Sequence, residues 1–312
     1  MKKIISLLII FIANFSFAQK KVAITFDDLP SQQMKFDDCV YITDNLLKIL
    51  KDNNLPIIGF VNAGKTDIEY QQDKRIAQLK KWIAAGYDLG NHTYAHSDIG
   101  KVGLQAYEED VIKGEPLVIK LMEEAGKKMK YYRHPFLYTG KTVEQKDSLD
   151  KFLKERGYTI APVTLDNSDW MFNSCYYSAK AKDNKTLADS IVASYLEYMN
   201  LTFDFFENLS QEFLGRQVNH VLLVHSNMIN ADHFDKIINM LKSRGYEFIS
   251  LDEALTDTAY TLPDAQMKWG RSWIHRWMKA KGLTLKSDPN EPKWIVELYT
   301  EIAKSGKKNE DY

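Results

Sequence analysis

The chain has 312 residues, 45% of them hydrophobic and 27% charged, enough to bury a large core in one α/β domain or in two smaller ones. The 41 basic and 42 acidic residues nearly balance, and without Lys2 and Lys3 the basic count falls to 39, a net charge of −3. Nothing in that balance favours nucleic acid or anionic lipid as a partner.

Residues 1–18 have the pattern of a cleavable secretory leader: Lys2-Lys3, an apolar run over 4–12, and the small residues Ser16 and Ala18 before Gln19. The run is shorter than the ~20 apolar residues a membrane span needs. No Cys follows it to take a lipid, and no later stretch is long and apolar enough to cross a bilayer. The mature protein is therefore expected to be exported, periplasmic or secreted, without membrane insertion. Cys39 and Cys175 either pair in that oxidising compartment or remain as two buried thiols, and their spacing leaves both open.

In chain order, Lys21-Val22-Ala23-Ile24 is a short β-branched run that ends in Thr25-Phe26-Asp27-Asp28. Residues 37–50 have helical spacing, with Asn53-Asn54 and Pro56 as terminators, and 56–61 reads as a buried strand. A second helix over 67–85 ends at Gly86, followed by a strand at 87–90 and then Asn91-His92-Thr93-Tyr94-Ala95-His96. Residues 104–126 are helical, with Gly114 and Pro116 predicting a kink or a split. Strands at 131–133, 158–163, 221–225 and 246–249 alternate with helices at 147–156, 187–214 and 232–244. This alternation argues for a parallel sheet rolled into a barrel or nearly so, with polar residues recurring at the strand ends, the rim where barrel enzymes carry their chemistry.

Two of these strand ends carry distinctive chemistry. Adjacent carboxylates allow one to bind a cation while its neighbour stays free as a base, although Asp27-Asp28-Leu29-Pro30 taken alone is also ordinary turn chemistry. His92 and His96 stand on one face if their segment makes a helical turn, and imidazole is the commonest metal ligand at neutral pH.

Five ordered motifs, Thr-Phe-Asp-Asp at 25–28, His-Thr-Tyr-Ala-His at 92–96, Arg-His-Pro-Phe at 133–136, Asp-Asn-Ser-Asp-Trp at 166–170 and Leu-Val-His at 223–225, make the chain resemble the polysaccharide deacetylases of the NodB-homology, carbohydrate esterase family 4 type. The resemblance implies a distorted (β/α)7-type barrel over 19–255; residues 256–312 lie outside it and read as a C-terminal helical extension packed on the barrel. It implies Asp28, His92 and His96 as ligands of zinc, or of cobalt or nickel, with open positions for water and substrate. Asp27 would be the general base, with Arg133 orienting it and holding it ionised. His225 would be the general acid, with Asp169 raising its pKa. The backbone N–H of Phe136 would hold the oxyanion, and Trp170 and Leu223 would line the pocket for the acetyl methyl. The substrate would be an acetylated glycan, with N-acetyl favoured over O-acetyl.

Phe136 replaces the usual Tyr of the third motif, which removes a hydroxyl but keeps the backbone donor, and Ser226 follows His225 where the family often has Asp. His134 reads as a rim residue. In the extension, Trp269, Trp273 and Trp277 recur every four residues, either as a sugar-stacking stripe or as a face buried on the barrel. Two rivals stand beside the deacetylase: an amidohydrolase acting on a small non-sugar amide, and a catalytically idle glycan-binding module on the same fold.

Overall fold

The computed structural model describes residues 19–310; the expected leader lies outside them. The elements are β1 (Lys20–Leu29), α1 (Phe36–Asp52), β2 (Ile57–Val61), α2 (Gln72–Ala84), β3 (Asp88–Asn91), α3 (Ile99–Val102), α4 (Leu104–Glu124), β4 (Tyr131–Tyr132), α5 (Val143–Glu155), β5 (Thr159–Ile160), α6 (Asp169–Ala181), α7 (Lys185–Leu214), β6 (His220–His225), α8 (Met228–Ser243), β7 (Tyr246–Phe248), α9 (Leu251–Ala254), α10 (Trp273–Ala280) and α11 (Lys293–Glu310). β1 is buried from Val22 onward, as a parallel strand covered on both faces must be.

The strands form one parallel sheet in the order β5-β4-β3-β2-β1-β6, with β7 on the start of β1. Within it Ile24 lies opposite Ile57 and Leu222, and Asp27 opposite His225. The sheet curls until its ends meet at a single bridge, Leu165 to Leu222, where the N–H groups of Thr164 and Leu165 donate to the Val221 carbonyl at 3.0 Å. One irregular contact replaces a full ladder, which makes the barrel distorted. Helices cover the outside; Phe26 of β1, for example, meets Trp82 of α2 and Phe234 of α8 at ring-centroid distances of 5.7 and 5.1 Å.

One local expectation changes. α4 runs unbroken through Gly114 and Pro116. Its bulk packs on the barrel, and a Cβ at Gly114 would stand 2.7 Å from Asn91 Oδ1 and 2.8 Å from the Thr93 carbonyl carbon, so glycine lets the helix approach the β3 loop. In the motif at 166–170, Asp169 and Trp170 open α6. In the Trp stripe, Trp273 and Trp277 are buried within α10, whereas Trp269 precedes the helix and is exposed. Cys39 and Cys175 are both free and buried. No helix among the described residues is long and apolar enough to cross a membrane.

Trp277 is 1% exposed and meets Tyr260 edge-on at 5.4 Å. Trp277→Ala is expected to lower unfolding free energy by about 3–5 kcal/mol in equilibrium urea titration, the cost of emptying a large core site.

Candidate active site

Successive side chains of a regular strand point to opposite faces, so adjacent carboxylates would normally diverge. Here the register between β1 and β2 slips between Phe26 and Leu29, and Asp28 takes a left-handed backbone with φ 68°. Such a bulge re-aims side chains at a strand end. Both carboxylates are buried at the C-terminal rim, Asp27 2% and Asp28 7% exposed.

The histidine pair reaches the same place by a route other than the expected helical turn. Residues 92–98 form a bend in which Thr93 (φ 66°) and His96 (φ 55°) are left-handed. Asp110 of α4 holds it, accepting from the N–H groups of Ala95 at 2.8 Å and Ser97 at 3.2 Å, while its own carbonyl accepts from Tyr94 N–H at 3.1 Å. One ligand atom each from Asp28, His92 and His96 lies within 4.8 Å of the others.

Arg133, which follows β4, is fully buried and donates through Nη2 to Thr25 Oγ1 at 2.8 Å. Its Nη1 is 3.9 Å from Asp27 Oδ2, an ion pair longer than a hydrogen bond. At the end of β6, His225 Nδ1 meets Asp169 Oδ1 at 2.6 Å. The second Asp169 oxygen accepts from the His225 N–H at 2.8 Å, Asn230 Nδ2 at 2.7 Å and Asn227 Nδ2 at 3.2 Å, so that carboxylate is fixed from three sides.

Burial raises Asp27 to about 6, although the charges of Arg133 and His225 pull it down. Burial also opposes ionisation of Asp28, but Lys65, His96, His225 and His92 together hold it well below the usual carboxylate range. Burial lowers both His92 and His96. For His225 burial acts downward too, yet the Asp169 charge and hydrogen bond outweigh it and raise the imidazole to about 9.

The donor set fits a divalent cation. His92 Nδ1 donates to the Arg133 carbonyl at 2.8 Å, which leaves the Nε2 lone pair of the neutral ring free. Asp28 Oδ1 is buried with no hydrogen-bond partner among the described residues. The Lys65 ammonium already lies 3.3 Å from that oxygen, a positive charge drawn to the same carboxylate.

The fold thus gathers Asp27, Asp28, His92, His96, Arg133, Asp169 and His225. Phe136, left-handed at φ 57°, lays its ring edge-on to His96 at 4.4 Å. Leu223 is buried within β6, and the partly exposed Trp170 meets Tyr299 of α11 edge-on at 5.4 Å. His134 is not a rim residue, since it is 1% exposed beneath Trp273. Beside Asp28 opens a cleft of about 420 Å³ lined by Gln32, Lys65, Trp170, Asn173 and Tyr299. Sequence reasoning gave no role to Thr25, although it opens the first motif, and missed Lys65, Asp110, Asn227 and Asn230. Of the missed residues, only Asn227 carried a signal, as a helix-capping Asn two residues beyond His225 that accepts from the Asn230 N–H.

The sequence pattern of the family described as polysaccharide deacetylase matches residues 16–161. A peptidoglycan-N-acetylglucosamine deacetylase of Bacillus cereus is 27% identical over 236 residues, covering 74% of this chain and 66% of the relative. A chitin deacetylase of Colletotrichum lindemuthianum is 26% identical over 244 residues, 76% of this chain and 79% of the relative. Against a peptidoglycan-N-acetylglucosamine deacetylase of Listeria monocytogenes, 24% identical, the chain spans only 38% of the relative's length. The crystal structure of a Bacillus cereus polysaccharide deacetylase superposes with a TM-score of 0.53 at 21% identity, over 74% of this chain and 92% of that one, and shares the barrel fold.

The wild-type His225 is imidazolium at neutral pH and loses its proton as the pH rises through about 9. In Asp169→Asn the largest raising contribution is gone, while the charges of Asp28 and Asp27 remain. An NMR titration of the ring is therefore expected to give a pKa well below that of the wild type, and an unchanged value would contradict this assignment of cause.

Proposed function

Since the chain belongs to the polysaccharide deacetylase family, whose pattern its residues 16–161 match, we propose that it is an exported, divalent-metal-dependent hydrolase that removes N-acetyl groups from a glycan containing N-acetylglucosamine. The observation that carries this is the convergence, at one buried strand rim, of the Asp28, His92 and His96 donor atoms with a separate carboxylate, Asp27, and a carboxylate-backed imidazole, His225. The substrate class is supported by the Bacillus and Colletotrichum relatives, which are named for peptidoglycan N-acetylglucosamine and for chitin.

Asp28, His92 and His96 would hold the ion, with zinc first and cobalt or nickel also suited to this donor set. Such an ion supplies Lewis acidity, polarising a carbonyl and making water more acidic. Asp27, lifted by burial to about 6, is ionised at neutral pH yet basic enough to take a proton from the attacking water. Arg133 lies beside it and keeps positive charge next to the buried carboxylate. As the new C–O bond forms, the carbonyl electron pair moves onto oxygen, and the Phe136 N–H donates to that oxyanion. His225, kept cationic by Asp169, passes its proton to the leaving nitrogen as the C–N bond breaks, releasing acetate and a free amine. Leu223 and Trp170 receive the methyl group.

Asp27→Asn preserves shape and removes only the base. Acetate release from N-acetylglucosamine oligomers should fall by about 10²–10⁴-fold, with glycan and divalent-ion affinity within about twofold of wild type by calorimetry. A variant that turns over at the wild-type rate contradicts the assignment; a wild type that binds glycan and releases nothing favours an idle binding module.

A further inference from the structure

Outside the motifs, part of the C-terminal extension packs directly on the turn that carries Phe136. We propose that residues 264–277 clamp the turn at 135–141, and that Arg276 is a positioning residue that holds Phe136 in the conformation aiming its backbone N–H into the site. The positioning half rests on the deacetylase reading above; the clamp does not.

Phe136 (φ 57°) and Leu137 (φ 50°) are consecutive non-glycine residues in the left-handed region, a conformation that persists only where the surroundings over-determine it. The turn's own hydrogen bonds, Leu137 N–H to the His134 carbonyl and Tyr138 N–H to that of Pro135, do not use the Phe136 N–H. The over-determination comes from the extension. Arg276 is fully buried and its guanidinium donates to the Leu137 carbonyl, to Thr139 Oγ1 at 3.3 Å and to the Arg271 carbonyl at 3.2 Å. It lies over the Trp273 ring at 4.3 Å, with Asp264 at 3.7 Å as counter-ion.

Gly270 presses its backbone directly on the turn. A Cβ there would fall 1.6 Å from the Phe136 carbonyl oxygen, so no side chain fits without moving Phe136 itself. Gln266 Nε2 donates to the carbonyls of Gly140 at 2.8 Å and Lys141 at 3.1 Å. The clamp is anchored where the barrel closes: Trp273 N–H donates to the Val163 carbonyl at 2.7 Å, and the Ser272 hydroxyl to the Thr164 carbonyl at 2.9 Å. On the other side of the turn the Phe136 ring rests on His96. A lysine could keep the charge at 276 but not the planar fork that reaches three acceptors.

The test compares wild type, Arg276→Met and Arg276→Lys in amide hydrogen exchange and in steady-state acetate release from N-acetylglucosamine oligomers. In Arg276→Met, peptides covering 133–141 should exchange about tenfold faster while those over β1 and α8 are unchanged. A donor used only in the transition state should cost kcat, about tenfold or more, with KM within about twofold. Arg276→Lys should fall between the two. Unchanged exchange at 133–141, or acceleration throughout the chain, overturns the clamp. Faster local exchange with unaltered kcat overturns the positioning role alone. A wild type that releases no acetate removes the deacetylase reading, and the positioning half with it, while exchange still decides the clamp. If Arg276→Met does not fold, Gln266→Ala, on the clamp's rim, carries the same readouts with the same expected signs.

Discussion

Two carboxylates side by side at the buried end of one strand are the constraint around which this structure is arranged. An isolated carboxylate withdrawn from water costs on the order of several kcal/mol, and a second one beside it adds repulsion. Asp27 and Asp28 are tolerated because each neighbouring strand end brings a cationic or titratable group to them: Lys65 after β2, His92 and His96 after β3, Arg133 after β4 and His225 at the end of β6. The parallel order β4-β3-β2-β1-β6 makes this possible, since every strand in it delivers its C-terminal end to the same rim. Compensation is uneven, and the unevenness is chemically useful. Asp28 receives most of the positive charge and stays ionised, whereas Asp27 is left titrating near neutrality.

Much of this was legible in the chain because strand ends and chemical groups coincide in the sequence. A β-branched run that stops on Asp27-Asp28 and an apolar run that stops on His225 declare both a strand and its cargo. What joins them was not legible. The bulge that turns both carboxylates toward the site depends on pairing with β2, and the left-handed backbones of Thr93 and His96 depend on Asp110, in the middle of a helix over a dozen residues away. A helical turn for His92 and His96 was the natural inference from four-residue spacing. The fold instead uses an irregular bend whose N–H groups are satisfied by a carboxylate from α4. Asp169 opens α6 and is fixed by Asn227, which caps α8, and by Asn230 within it. Such relations between elements distant in sequence leave no local periodicity.

The C-terminal segment shows the same limit from the other side. Its Trp repeat predicted one aromatic helical face, yet α10 begins at Trp273 and only Trp273 and Trp277 are buried. Their burial carries Arg276 and Gly270 against the 135–139 turn, and α11 contributes Tyr299 to the cleft beside Asp28. Elements outside the five motifs therefore form part of the wall of the site, where differences among barrels with the same central chemistry would act on which glycan enters.

The most direct test is acetate release by the purified protein after exhaustive chelation and after zinc add-back, across N-acetylglucosamine oligomers, peptidoglycan and acetylated xylan. The chelated protein is expected to be inactive, and zinc to restore release from an N-acetylated substrate in proportion to one bound ion. Release that survives chelation, or a zinc-loaded protein that releases acetate from none of the N-acetylated glycans, would contradict the metal-dependent deacetylase reading.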